Sequence, residues 1–197
     1  KDQKNFNNES FVKIIQKDPD SLSTIMIYTK DRVNVFATII GILDSENINF
    51  LDAKLFGMKN GFCFDFITIS NQVGEVISKH SSVAKSLIIR LKEALDQEVL
   101  SPKIVKRRQP KHLKHFNTDT IIKYKHDMTH RWTEIDIKTS DRPGLLASIC
   151  QVFLDHGALI RKARIATYGE RAEDKFCITS KENTPYLKKK NLERFNW

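Results

Sequence analysis

Twice in this chain, residue types suited to holding a small charged ligand stand where a strand should give way to a helix. Asp141-Arg142-Pro143-Gly144-Leu145-Leu146 follows an alternating stretch with Ile135 and Ile137, and precedes apolar residues at helical spacing. A helix beginning there offers unpaired backbone N–H groups and a partial positive charge, which suits a carboxylate. A glycine at that point lets a ligand approach the main chain without meeting a Cβ; equally, Pro143 and Gly144 could serve only to shape the turn. Asp31-Arg32-Val33-Asn34-Val35-Phe36 repeats the arrangement, with an amide at Asn34 that can donate and accept. An amino acid, carrying a carboxylate and an amine, fits such a corner. The ligand-binding candidates are Asp141, Arg142, Gly144, Leu145 and Leu146 in one run, and Asp31, Asn34, Val35 and Phe36 in the other. The run around Gly144 is the favoured site, and Asn34 marks a second, distinct one.

The same inventory is poor in catalytic and metal-binding chemistry. Cys63, Cys150 and Cys177 are far apart in apolar or alternating contexts, which reads as buried thiols in a reducing compartment. His112 and His115 form a close pair with no cysteine near them, so the expected zinc content is none. His126-Asp127 ends an isolated strand-like stretch and is not expected to be catalytic. No catalytic residue, metal ligand or cofactor site is assigned.

The chain has 197 residues, with 40% hydrophobic and 29% charged, enough for a packed core in one or two small domains. No apolar run approaches the ~18 residues of a membrane helix. The start is polar and lacks both an initiator Met and a leader-like segment, so the expectation is a cytoplasmic fragment of something longer. The net charge of +9 is concentrated at 103–114, which includes Lys106-Arg107-Arg108 and Lys111, and at Lys188-Lys189-Lys190. Such runs read first as solvated faces or linkers.

Organisation follows from a repeat. Asp31 to Ile39 matches Asp141 to Ile149 at an offset of 110 residues, and the same offset aligns Ala53-Lys54-Leu55 with Ala163-Arg164-Ile165. Each copy predicts a strand, a charged loop and a helix with one apolar face: Phe36, Ile39, Ile40 and Leu43, or Leu146, Ile149, Cys150 and Phe153. Helix ends are expected near Asn47 and Gly157. Hairpins follow, at 48–56 with 62–70 around Lys59-Asn60-Gly61, and at 159–168 with 172–179 around Gly169-Glu170. A second helix is expected at 74–98 and from Pro185 onward. The fold class is α+β, two tandem ferredoxin-like βαββαβ units. Boundaries are placed at 1–23 for an N-terminal extension, 24–102 for the first unit, 103–130 for a basic linker and 131–197 for the second unit, which could be truncated. Ile121-Ile122-Lys123-Tyr124-Lys125-His126, in that linker, alternates like a strand and could complete a sheet, with exchange between the copies as one way of doing so.

Asp-Arg-Pro-Gly-Leu-Leu-Ala-Ser-Ile at a strand-to-helix corner resembles the ACT-domain signature of modules that bind amino acids and regulate metabolic enzymes. With Leu51-Asp52-Ala53-Lys54-Leu55-Phe56, Leu113-Lys114-His115-Phe116 and Ala163-Arg164-Ile165-Ala166-Thr167-Tyr168-Gly169-Glu170-Arg171-Ala172-Glu173-Asp174, the chain is similar to the C-terminal tandem ACT region of the bacterial bifunctional uridylyltransferase/uridylyl-removing enzymes. That resemblance implies glutamine as the ligand and upstream catalytic domains that use Mg, with this region itself non-catalytic. It further implies the nitrogen regulator PII as a partner and a homodimer through ACT sheets. Val33 and Asn34 depart from the proline and glycine of the signature, which puts equal binding by both copies in doubt.

Two other readings stand beside it. One is an ACT-mediated assembly module of a different metabolic enzyme. The other is an RNA-binding βαββαβ protein, suggested by Phe62, Phe64 and Phe66 on one strand face. The expected place of that face is the core beneath the helices, which weighs against nucleic acid.

Overall fold

The computed structural model describes residues 9–18, 20–32, 34–100, 119–142, 144–168 and 171–186. Its elements are β1 (Phe11–Ile15), β2 (Ser23–Lys30), α1 (Val35–Ser45), β3 (Asn49–Gly57), β4 (Phe62–Ser70), α2 (Ser82–Leu95), β5 (Ile121–Asp127), β6 (Trp132–Ser140), α3 (Leu145–Asp155), β7 (Leu159–Arg164), β8 (Thr167–Tyr168) and β9 (Arg171–Thr179). All the strands join one nine-stranded sheet in the order β1-β2-β4-β3-β7-β9-β6-β5, with β8 paired to β9. Every pairing is antiparallel, so the class is α+β. Among the described residues no helix is long and apolar enough to cross a membrane.

The halves of the sheet repeat each other. In each, an edge strand leads by a hairpin-like connection into the first repeat strand, then a helix, then a two-stranded hairpin. Of the two edge strands, the sequence pointed to the one at 121–126 as completing a sheet, and only the one at 11–15 was unexpected. Residues 11–15 fall within the expected N-terminal extension, yet they form β1, paired along β2 from Phe11↔Tyr28 to Ile15↔Thr24. Residues 121–127 form β5 on β6, with Ile122 opposite Ile137, so this strand serves its own copy without exchange. The outer strand of each half therefore precedes its unit, where βαββαβ would place it last. The expected second helix of copy two falls mostly on residues outside those described. So do the basic stretch 103–114, Lys188-Lys189-Lys190, Gly169-Glu170 and Pro143.

Strand alternation decides what the helices cover. On β2, Ser23, Ile25, Ile27 and Thr29 are buried, and on β4 Cys63, Asp65, Ile67 and Ile69 are. These face α1 and α2, whose buried residues include Ile39, Leu43, Leu87 and Leu91. In copy two, Phe153 of α3 meets Phe176 of β9 edge to face at 5.1 Å, both essentially inaccessible. Burying a side chain of that kind stabilises the fold by about 1.5–3 kcal/mol.

Phe62, Phe64 and Phe66 belong to the other face, which corrects their expected place beneath the helices. Tyr28 stacks on Phe62 at 4.9 Å, and Phe66 meets Phe64 and Phe56 edge to face. Phe56 is 50% exposed, and the other rings are half-buried. The matching face of copy two carries ion pairs instead, Lys138–Glu173 and Lys175–Asp136, both at 3.0 Å.

Candidate ligand-binding corners

Each corner is set by the backbone at its glycine or asparagine. Gly144 caps α3 at φ 75°, and Asn34 caps α1 at φ 73°. That left-handed region is open to glycine and, among side-chain-bearing residues, most readily to asparagine. Turn shape therefore explains both residue types, and Gly144 lies one step before the helix, not within its first turn. At the far ends Asn47 (φ 57°) and Gly157 (φ 71°) again adopt positive φ. There Ile48 N–H donates to Leu43 O at 2.9 Å, and Ala158 N–H to Phe153 O at 2.8 Å, closing both helices alike.

The halves meet through β3 and β7, where Asp52, Ala53 and Lys54 pair with Arg164, Ala163 and Lys162. Ala53 faces Ala163, its own counterpart in the repeat, so a pseudo-twofold axis runs through this pair. Helices α1 and α3 pack together above the seam. The consequence is two cavities, each walled by both copies. The first, about 400 Å³, takes Asp31, Asn34, Val35, Phe36 and Asp65 from copy one, with Phe153, Gly157 and Arg161 from copy two. The second, about 820 Å³, takes Asp141, Arg142, Gly144, Leu145, Leu146 and Asp174 from copy two, with Leu43, Asn47 and Leu51 from copy one. All nine candidate residues thus line one cavity or the other, in two sets related by the repeat.

The structure adds a pair of groups that composition alone did not single out. Asp65 and Asp174 sit at equivalent positions on β4 and β9, 3% and 2% exposed. Burial pushes Asp65 up to about 7, with a further push from Asp31; the Phe56 N–H, the Cys63 thiol and the Arg161 charge pull the other way. Burial, reinforced by Asp141, raises Asp174 to about 7 as well, with a backbone hydrogen bond from Ala166 pulling the other way. Asp141 is itself raised by burial, against a backbone hydrogen bond from Arg142. An aspartate in an alternating strand whose neighbours on the same face are apolar was the readable clue: Asp65 stands between Cys63 and Ile67, and Asp174 between Ala172 and Phe176.

Other parts of the first corner are committed to structure. Arg32 donates to Gln97 O at 2.7 Å and Glu98 O at 3.1 Å, and also to Leu95 O, closing the end of α2. The Asn34 amide donates to Leu100 O at 3.3 Å. Arg161 is the bulged residue between Ile160 and Lys162 on β7, and is held by Thr179 Oγ1 at 3.0 Å and by Asn183. Its repeat counterpart Leu51 is the bulged residue of β3, between Phe50 and Asp52.

The remaining chemistry-bearing residues do not converge. Burial raises the thiols of Cys63 and Cys150 well above their ordinary range and that of Cys177 to about 11, so none is a ready nucleophile. His126 bonds Thr133 at 2.9 Å, whereas Asp127 bonds His130 at 2.7 Å, so that pair serves two separate local contacts.

No family model matches the chain. A bifunctional uridylyltransferase/uridylyl-removing enzyme of Acinetobacter baumannii is 34% identical over 163 residues, 82% of this chain and 18% of its own length. The enzyme of that name from Psychrobacter sp. is 37% identical over 155 residues, covering 79% and 17%, and that of Pseudomonas putida 34% over 170 residues, covering 86% and 19%. Among solved structures, an unknown protein from Galdieria sulphuraria overlays with TM-score 0.29 at 14% identity, covering 86% of this chain and 80% of that one. A putative glycine cleavage system transcriptional repressor does so at 0.28 and 15%, covering 80% of each. Overlays this loose carry no argument about fold or site. The sequence relationship does carry one: over 82% of its length the chain is homologous to a region making up 18% of a bacterial bifunctional uridylyltransferase/uridylyl-removing enzyme.

Proposed function

We propose that this chain is a regulatory region built from two ACT-type ferredoxin-like modules, which bind an amino acid, glutamine by preference, in the cavities between them. Through that binding it biases upstream catalytic domains that add UMP to PII and remove it. The observation that supports this most is the reciprocal construction of the cavities, each combining a helix N-terminus from one copy with a helix end and strand bulge from the other. A ligand held in such a place contacts both modules at once, so it can favour one packing of the pair over another. The homology to one region of the uridylyltransferases supports the regulatory role.

Titration calorimetry with glutamine, glutamate and a panel of other amino acids tests the reading. Selective glutamine binding, lost in Leu146→Trp with far-UV circular dichroism unchanged, is the expected result. If no amino acid binds, the sensing role falls for this chain.

One feature favours another reading. The aromatic ladder of Tyr28, Phe62, Phe64 and Phe66 lies on the open sheet face beside Lys30 and Lys54, as a single-stranded RNA platform would require. Titrating a labelled oligouridylate by anisotropy decides it. Salt-dependent binding lost in Phe64→Ser would establish nucleic acid as a partner, and no binding would remove it.

A further inference from the structure

We propose that Asp65 and Arg161 form a proton-controlled latch between the two modules: an ion pair that closes across the seam when Asp65 releases its proton to solvent, and opens when the proton returns. The latch needs no ligand, so it stands or falls apart from the sensing reading above. Three residue pairs of β3 and β7 join the halves, ending at Lys54 opposite Lys162. Arg161 comes next on β7, and as the bulged residue it is left out of the ladder with β9. Its guanidinium is oriented by its own module: Nε donates to Thr179 Oγ1 at 3.0 Å, and Nη2 donates to Asn183. Nη1 remains, and it lies 3.4 Å from where a Cβ on Gly57 of copy one would stand; Asp31 Oδ2 lies 3.0 Å from the same point. Gly57 thus leaves the gap through which Arg161 reaches the carboxyls of copy one. None of the ion pairs among the described residues includes Arg161, so the structure shows the latch open.

Asp65 is faced by Asp31 and Arg32 from the corner before α1, Cys63 on its own strand, Cys150 on α3, Arg161 on β7 and Lys181 beyond β9. Arg32 is held by the carbonyls at the end of α2, and Lys181 is exposed. Burial keeps both thiols protonated. Asp31 carries the same sign as an ionised Asp65 and opposes its ionisation, which leaves Arg161 as the cation that can answer it. Burial holds the Asp65 carboxyl near 7 while the Arg161 charge pulls it down, so its proton is exchanged around neutrality. Copy two has the acid without the arginine. Asp174 is buried at the equivalent position and bonded by the Ala166 backbone, but the residue opposite in the repeat to Arg161 is Leu51. The latch is therefore single, and Asp174 serves as its internal control.

NMR titration of the aspartate side-chain carboxyl carbons, in the ligand-free chain, tests the pairing. Arg161→Gln should raise the Asp65 midpoint by about half to one pH unit, because a neutral side chain no longer favours the carboxylate. Arg161→Lys should restore most of the difference, and neither substitution should move the Asp174 midpoint. Amide hydrogen exchange at 52–54 and 162–164 then reads the seam. Linkage is reciprocal, so protection in the parent relative to Arg161→Gln should rise about three- to tenfold between about pH 6 and about pH 8. In Asp65→Asn that pH-dependent gain should vanish. An Asp65 midpoint indifferent to Arg161→Gln, or a protection ratio that stays constant with pH, overturns the latch and leaves amino-acid sensing untouched. Should Arg161→Gln fail to fold, the parent decides by itself. Its seam protection, measured against that of the β5–β6 hairpin at each pH, must rise through the Asp65 midpoint, and a flat ratio overturns the proposal.

Discussion

Ala53 and Ala163 face each other across the ladder that joins β3 to β7, and neither is accessible to solvent. They are counterparts in the repeat, so the seam's axis passes between two of the smallest side chains available. The match of Ala53 with Ala163 is thus a condition on how closely the sheet and helices can meet. Ala163→Leu should destabilise the chain by about 1–3 kcal/mol through overpacking. A lower urea midpoint with an unchanged slope would show it; an unchanged midpoint would mean the seam has slack.

The buried carboxylates make stability depend on pH. The ordinary Asp65 and Asp174 values of 3.8 rise to about 7 in the fold. Between those values the folded chain keeps protons that the unfolded chain has shed. Their contribution is full below about pH 4 and is lost as pH rises through about 7, at most a few kcal/mol for each group. The doubly substituted Asp65→Asn/Asp174→Asn chain should gain stability over the parent at about pH 8 and much less at about pH 5. Parallel urea midpoints at the two pH values would refute this.

Positive φ at Gly144 sets which substitutions the corner accepts. Gly144→Val should cost about 2 kcal/mol or more, because a β-branched residue resists the left-handed region. Gly144→Asn, which imports the residue found at Asn34, should cost less than about 1 kcal/mol. Thermal unfolding of the two variants checks the order. A valine substitution consequently tests the backbone before it tests any ligand.

Arg32 is a clasp on α2, since its guanidinium reaches carbonyls at 95, 97 and 98. Arg32→Ala should cost about 1–2 kcal/mol and accelerate amide hydrogen exchange in the last turn of α2. If exchange there is unaffected, the clasp carries no stability.

The repeat, the helix faces at Ile39 and Ile149, the hairpin turn at Gly61 and the helix ends at Asn47 and Gly157 were legible in the sequence because each rests on a local rule of period or backbone conformation. The faces of β4 were not. Phe62-Cys63-Phe64-Asp65-Phe66 places its bulkiest residues at alternate positions, and hydrophobicity assigns them to the core. The helices instead cover Cys63, Asp65 and Ile67, because the register with β2 and β3 sets parity, and register is a long-range property. The same dependence hid Asp65 and Asp174 as lining groups. Edge strand β5 showed through its alternation at 121–126, whereas β1, a five-residue segment at 11–15, read as easily as extension.

The reciprocal walls also have a mechanical consequence. Three residue pairs form the ladder between the halves, with α1 and α3 riding above it. A slip along that seam moves the floor of one cavity and the floor of its twin together, and pseudo-symmetry makes both open or both narrow. The two compartments are geared, so a ligand that shifted the seam from one of them would reshape the other without any contact between ligands.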